Sequence, residues 1–354
     1  LYGGGILNEA TLHLTNTMFS GNSSAFGGGL FNGGVGSAMV NTSTFAENFA
    51  SNDGGGIYNM HSLSLTNSTL SGNGANGFGG GIASQTNITT LNTTITRNQA
   101  DANENLAGTG GGIHSYGGAS LLTNTIIAGN LSGSAPDDLT GNGAAPTSRN
   151  NLVGNAAAAG GLVDGSNGNI VGNAGSGTLD ITAILDVNLI DNGGNTPTHA
   201  LVPGGLAIDS GSNVDAASLG TDQRGLPRVF FLGATVDIGA VESDNGAVES
   251  HKVAGAFVVD TSTDNFDSNF SAGQFSLREA VLLANEHAGA DLVTFANGIT
   301  NVTLTAGQLL LADPSQTTID GGGVIVERID DFTLPLPADC PRPGDPAEKP
   351  ANFE

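Results

Sequence analysis

Gly79-Gly-Gly-Ile-Ala-Ser-Gln-Thr-Asn-Ile-Thr-Thr-Leu-Asn-Thr-Thr-Ile-Thr-Arg-Asn98 is the stretch that decides the fold, because the chain keeps repeating its plan. Three glycines and an aliphatic residue open it, and a short polar-apolar strand closes it on Asn. The glycine blocks begin at Gly3, Gly27, Gly54, Gly79 and Gly110, followed by Ile6, Leu30, Ile57, Ile82 and Ile113. The closing residues Asn22, Asn48, Asn73, Asn98 and Asn130 keep step, so the period is about 25 residues with one longer interval. A fixed period of this length marks a solenoid, a propeller or an array, since one unit cannot bury its apolar face alone.

Helical repeats are excluded by the glycine blocks and the β-branched runs, and the leucine frame of leucine-rich repeats is missing. In Ala10-Thr-Leu-His-Leu-Thr-Asn-Thr17, Leu12 and Leu14 alternate with Thr11, His13 and Thr15, the period of a half-buried strand. A propeller blade needs a longer unit of four strands. The expected class is therefore all-β: a parallel β-helix with one coil per period, coils stacked about 4.8 Å apart. Stacked Asn side chains can hydrogen-bond along such a ladder. Asn16, Asn67, Asn92 and Asn124, with Thr42 in the second coil, lie six residues earlier, and Asn tolerates the left-handed backbone of a tight corner.

Composition narrows the partners. The formal charge is −24, yet the first hundred residues carry only Glu9, Glu47, Asp53 and Arg97. So few basic residues exclude a grip on a phosphate backbone, and nucleic acid is not an expected partner. No run of eighteen apolar residues is present, so no membrane span is expected. The lone Cys340 cannot form an internal disulfide, and stability must come from stacking. Asn/Thr/Gly-rich acidic composition points to an extracellular or cell-surface location. Leu1 opens inside a repeat, so the sequence reads as an excised piece.

After Asn130 the rhythm loosens, and four phrases follow: Asp191-Asn-Gly-Gly-Asn-Thr-Pro-Thr-His199, Ala207-Ile-Asp-Ser-Gly211, Thr221-Asp-Gln-Arg-Gly-Leu-Pro-Arg228 and Val236-Asp-Ile-Gly-Ala-Val-Glu242. Here the chain resembles bacterial surface proteins whose β-helix ends in a choice-of-anchor Q domain. Its upstream coils resemble polymorphic outer-membrane-protein or adhesin-type repeats. The resemblance covers roughly residues 1–242 and implies a right-handed parallel β-helix displayed outside the cell, with no assigned reaction. A second resemblance begins at Phe257-Val-Val-Asp260 and runs through Phe275-Ser-Leu-Arg-Glu-Ala-Val-Leu-Leu-Ala-Asn285 to Thr318-Ile-Asp-Gly-Gly322. This segment looks like the opening of another β-helix, with its capping helix near 276–288. Ser276 and Glu279 form a capping box, and Leu277, Val281 and Ala284 share one apolar face with Arg278 beside it.

The expected organisation is regular coils over 1–130, irregular coils over 131–242, a linker over 243–253, a cap-like segment over 254–326 and a Pro-rich tail over 327–354. A β-helix opening placed after an ending admits two accounts. Either the segment starts a tandem module, or it covers the open coil at Leu1 of a second copy, giving head-to-tail filaments. The partner is then the chain itself or another surface component, with a glycan as a further candidate.

Catalytic residues are not expected. Lyases acting on uronates need basic residues, and residues 1–223 offer only Arg97 and Arg149. Hydrolases need paired carboxylates on one face, and the adjacent Asp137 and Asp138 on a strand should point apart. His13, His61, His114 and His199 are isolated. Arg224 and Arg228 are expected to pair with Asp237 and Glu242. No cofactor is expected; Asp260, Asp264 and Asp267 are candidate Ca²⁺ ligands but lack the EF-hand pattern. The predicted function is a non-catalytic structural or adhesive surface protein, the alternative a carbohydrate-binding or polysaccharide-degrading β-helix.

Overall fold

Each repeat folds as one coil of a parallel β-solenoid and contributes one short strand to each of four sheets. The computed structural model describes residues 2–105, 108–226, 228, 235–243, 252–253, 256–265, 273–286, 291–311 and 317–328. The chain divides into two compact units, 1–250 and 251–354, each treated by itself. Asp267, Cys340 and the Pro-rich tail lie outside the described residues, as does most of the linker.

In the first unit, the first sheet stacks Ile6–Asn8, Leu30–Asn32, Ile57–Asn59, Ile82–Ser84, Ile113–Ser115 and Leu139–Gly141. The second runs from Thr11–Thr15 to Leu121–Thr123, the third from Met18–Ser20 to Ile170–Val171. The fourth runs from Ser23–Ser24 to Ala135–Pro136, and only its last pair is antiparallel. Ile6, Leu30, Ile57, Ile82 and Ile113 are direct register partners in one column, continued by Leu139. From Leu30 onward they are fully buried, each contributing roughly 2–3 kcal/mol by removal from water. A second interior column in the third sheet passes from Phe19 and Phe45, whose rings stack at 4.8 Å, through Leu70, Ile95 and Ile127.

The corners explain the glycine blocks. The first glycine of each block has a left-handed φ, for example +66° at Gly27 and +70° at Gly54. The second meets the backbone of the next coil: a Cβ on Gly28 would lie 2.3 Å from the Gly55 carbonyl oxygen. Asn16, Thr42, Asn67, Asn92 and Asn124 turn the corner into the third sheet with φ between +45° and +52°.

Residues 131–242 divide in two. The coils continue through Leu139–Gly141, Leu152–Val153 and Ile170–Val171. From about residue 180 the chain leaves the stack and runs back along the outside of the third sheet as a strap. Thr44 Oγ1 donates to the Pro197 carbonyl at 2.7 Å, the Ala240 N–H donates to Thr94 Oγ1 at 3.0 Å, and the Gly239 N–H to the Asn124 carbonyl at 2.9 Å. The outward side chains Thr44, Thr69 and Thr94 are thereby 2% exposed or less. A second apolar core forms beneath the strap, where Ile126 and Leu152 meet Ile184, Leu185, Leu201, Ile238 and Val241. The expected irregular coils thus end early, because this sheet's outer face is covered instead by residues far along the chain.

The second unit holds the parallel strands Ala256–Val259, Asp291–Phe295 and Thr317–Ile319, and the parallel pair Asn301–Leu304 and Ile325–Arg328. The helix Leu277–Glu286 packs on the first two of these strands. Ser276 and Glu279 close the capping box reciprocally, at 2.9 and 3.2 Å.

Candidate functional site

Three arrangements concentrate chemistry-bearing side chains in the first unit. The first is the Asn column. Asn22, Asn48, Asn73, Asn98 and Asn130 each donate Nδ2 to the amide oxygen of the next, at 2.8–3.0 Å, until Asn130 donates to Asp138. Each backbone N–H reaches the same oxygen, and from Asn48 onward the second Nδ2 proton goes to a carbonyl such as Phe45 O. Asp138 is buried and also accepts the Asn155 N–H at 2.7 Å; burial pushes its carboxyl up to about 7. Asp137 is buried as well. One of its oxygens accepts the Gly110 N–H at 2.9 Å, the other has no hydrogen-bond partner, and burial raises its carboxyl. A second ladder escaped sequence reading: Asn8 donates to Asn32, Asn32 to Asn59 and Asn59 to Ser84. Its signal was the constant offset from the aliphatic column.

The second arrangement is a polar seam beneath the strap. Arg228, 1% exposed, pairs with Glu242 and donates to Asn67 Oδ1 at 2.6 Å and to the Gly239 and Ala240 carbonyls. Arg224 pairs with Asp222 at 2.8 Å, an acid not singled out from sequence, and donates to the Glu242 carbonyl at 2.7 Å. Asp237 accepts the Asp209 and Ser243 N–H groups, and burial pushes it up to about 7. Burial pushes Glu242 up too, with Arg228 beside it pulling the other way. Gln223 anchors the strap by accepting from Thr69 at 2.6 Å and donating to Thr44 and Thr196, both at 2.9 Å. His199 joins Ser71 Oγ to the Asp186 carbonyl, 2.8 Å from each. Arg97 donates to the Val187 carbonyl, and Arg149 pairs with Asp215.

The third arrangement is an aromatic rank on the outer side of the first sheet. Phe31, Tyr58 and His114 alternate with the inward Leu30, Ile57 and Ile113. Tyr2 and Phe26 join the first two, and Phe78 and Tyr116 join His114, with ring centroids 4.5–5.7 Å apart. Asp53 lies between the groups and accepts the Tyr116 hydroxyl at 3.0 Å and the Phe78 N–H at 2.9 Å. No family model, no curated protein and no solved structure matches this chain.

In the second unit, Leu277, Glu279, Val281 and Ala284 are buried, and Arg278 pairs with Asp264 at 2.7 Å. The helix packs on strands of its own segment, Ala256–Val259 and Asp291–Phe295. Asp264 also accepts the Thr305 and Ala306 N–H groups, while Asp260 accepts those of Gly273 and Phe275. Both carboxylates are thus engaged by protein donors, and Asp267, the third candidate ligand, lies outside the described residues. Among the described residues no group of three or more His, Cys, Asp or Glu could hold a metal ion, and no helix is long and apolar enough to cross a membrane.

Proposed function

We propose that the chain is a non-catalytic structural or adhesive β-solenoid working at the cell surface or outside the cell. One observation carries this reading: Asp137 and Asp138, the one adjacent acidic pair of the coils, both serve the stack. Asp138 ends the Asn column and Asp137 holds the Gly110 corner, so neither is presented to a substrate as acid or base. The surface location is supported by the acidic, base-poor composition and by the resemblance of residues 191–242 to choice-of-anchor surface proteins. Residues 256–328 fit the opening of a second solenoid module, since their helix rests on parallel strands of their own. Incubation with pectin, alginate and a panel of neutral polysaccharides tests the reading through reducing-end release. None is expected; release that disappears in Asp138→Asn overturns it.

A further inference from the structure

The chain has only three tyrosines, and all three, Tyr2, Tyr58 and Tyr116, belong to the aromatic rank on the first sheet. Tyrosine combines an apolar ring with a polar tip and concentrates where a surface meets a partner. Elsewhere the outward strand positions are mostly Ser, Thr and Asn, with Met18, Met39 and Phe49 as scattered apolar exceptions, and only this face lines up rings that touch one another from coil to coil. From this we infer that the rank is a binding platform for a linear, electrically neutral polysaccharide.

Shape argues for a linear ligand. The rings follow the solenoid axis over five successive coils, about 19 Å from first to last at about 4.8 Å per coil. A rank so long and narrow suits a polymer chain better than a compact molecule or the broad core of a protein interface. Chemistry argues for a sugar. Phe31, Tyr58 and His114 are buried as the floor of the rank, while Tyr2, 56% exposed, and the partly exposed Phe26, Phe78 and Tyr116 leave ring surface for the C–H faces of pyranoses. Hydrogen-bonding groups are interleaved with the rings: Asp53 with Tyr116, the Gln85 amide donating to the Tyr58 hydroxyl at 2.9 Å, and the Thr109 and Thr140 hydroxyls 3.1–3.2 Å from His114 Nδ1. Charge argues for neutrality. Asp53 stands mid-rank, Arg97 is the one basic residue in the first hundred, and the chain carries −24, so uronate or sulfated polymers are repelled.

The inference deepens the adhesive half of the proposed function and rests on it. Affinity electrophoresis of the full chain in gels containing soluble β-glucan, xylan or glucomannan tests it, with pectate and alginate as charged controls. At least one neutral polymer is expected to retard the chain. Tyr2→Ser and Phe78→Ser should each weaken that retardation about threefold to tenfold, while His13→Ser on the second sheet leaves it unchanged. Circular dichroism checks that each variant keeps its sheets, and Tyr2, being the more exposed, carries the test if Phe78→Ser unfolds. No retardation by any neutral polymer overturns the proposal and leaves the face to a protein partner. Equal retardation by pectate, or retardation that survives Tyr2→Ser, overturns it equally. Reducing ends measured on the same mixtures separate the two readings: their release sinks the non-catalytic function, whereas absent retardation sinks only the platform.

Discussion

Asn73 shows how much a single side chain carries in a stack of this kind. Its amide oxygen takes both the N–H and the Nδ2 of Asn48, and its own Nδ2 serves Asn98 and the Phe45 carbonyl. Asn73→Ala would leave several buried groups without partners, at a cost of about 3 kcal/mol or more; a lowered thermal midpoint by circular dichroism is the expected result. Glu47 is the opposite case. It is exposed and held at φ +56° in a column whose other members are Gly21, Gly72, Gly129 and Arg97, the last also left-handed at φ +58°. Left-handed backbone costs a side-chain-bearing residue about 1–2 kcal/mol, partly offset by the entropy glycine loses on folding. Glu47→Gly should therefore stabilise the protein by up to about 1 kcal/mol, seen as a raised midpoint; a fall would show that Glu47 makes a compensating interaction.

At the scale of elements, the strap depends on Arg228. Removing it leaves Glu242 buried and without its guanidinium, which costs about 3–5 kcal/mol. Arg228→Ala should release the strap before the coils: hydrogen exchange would accelerate over 180–226 and 235–243, while amides around Ile57 and Ile82 stay protected. The coils were legible in sequence because each glycine block and aliphatic residue recurs at the same offset, and stacking converts offset directly into register. The strap was not. Its contacts join positions as far apart as Gln223 and Thr44, mostly through side chains and carbonyls, and such contacts leave no period to read. One trace was present. Thr69-Leu-Ser71 alternates as a half-exposed strand should, but Ile126-Ile127 is apolar on both faces, the mark of a strand covered on both sides. The aromatic rank was legible in the same way, since Tyr2, Phe26, Asp53, Phe78 and Thr109 each precede a glycine block. Asp53 and Thr109 at this offset are polar, so the column carries no continuous aromatic pattern.

For the whole first unit, burial of ionisable groups sets a pH dependence. Burial pushes Asp138 and Asp237 up to about 7 in the folded chain, against about 3.9 when unfolded. Between these values the folded state holds more protons, so stability falls as pH rises from about 4 to about 7. His199 acts in the other direction. Burial lowers its affinity for a proton, and the unfolded chain gains that proton below about 6.5, so its contribution is lost on acidification. The carboxyls outweigh it on the alkaline side, and the thermal midpoint should be higher at pH 6 than at pH 8. Asp138→Asn should flatten that slope while lowering the midpoint at pH 6. A midpoint that rises from pH 6 to pH 8 would contradict the account.

Solenoids usually tolerate the loss or gain of a whole repeat, because each coil touches only its neighbours. Here the strap works as a gauge laid against the rod, with marks that must meet particular coils: Gln223 at Thr44 and Thr69, His199 at Ser71, Gly239 at Asn124. Excising residues 54–78 would remove one clean period, yet would carry away Asn67, Thr69 and Ser71 together. Downstream marks would then fall one coil, about 4.8 Å, out of place. The length of this rod is thus not free to drift by recombination between repeats, and over the gauged coils it behaves as a fixed dimension of the molecule.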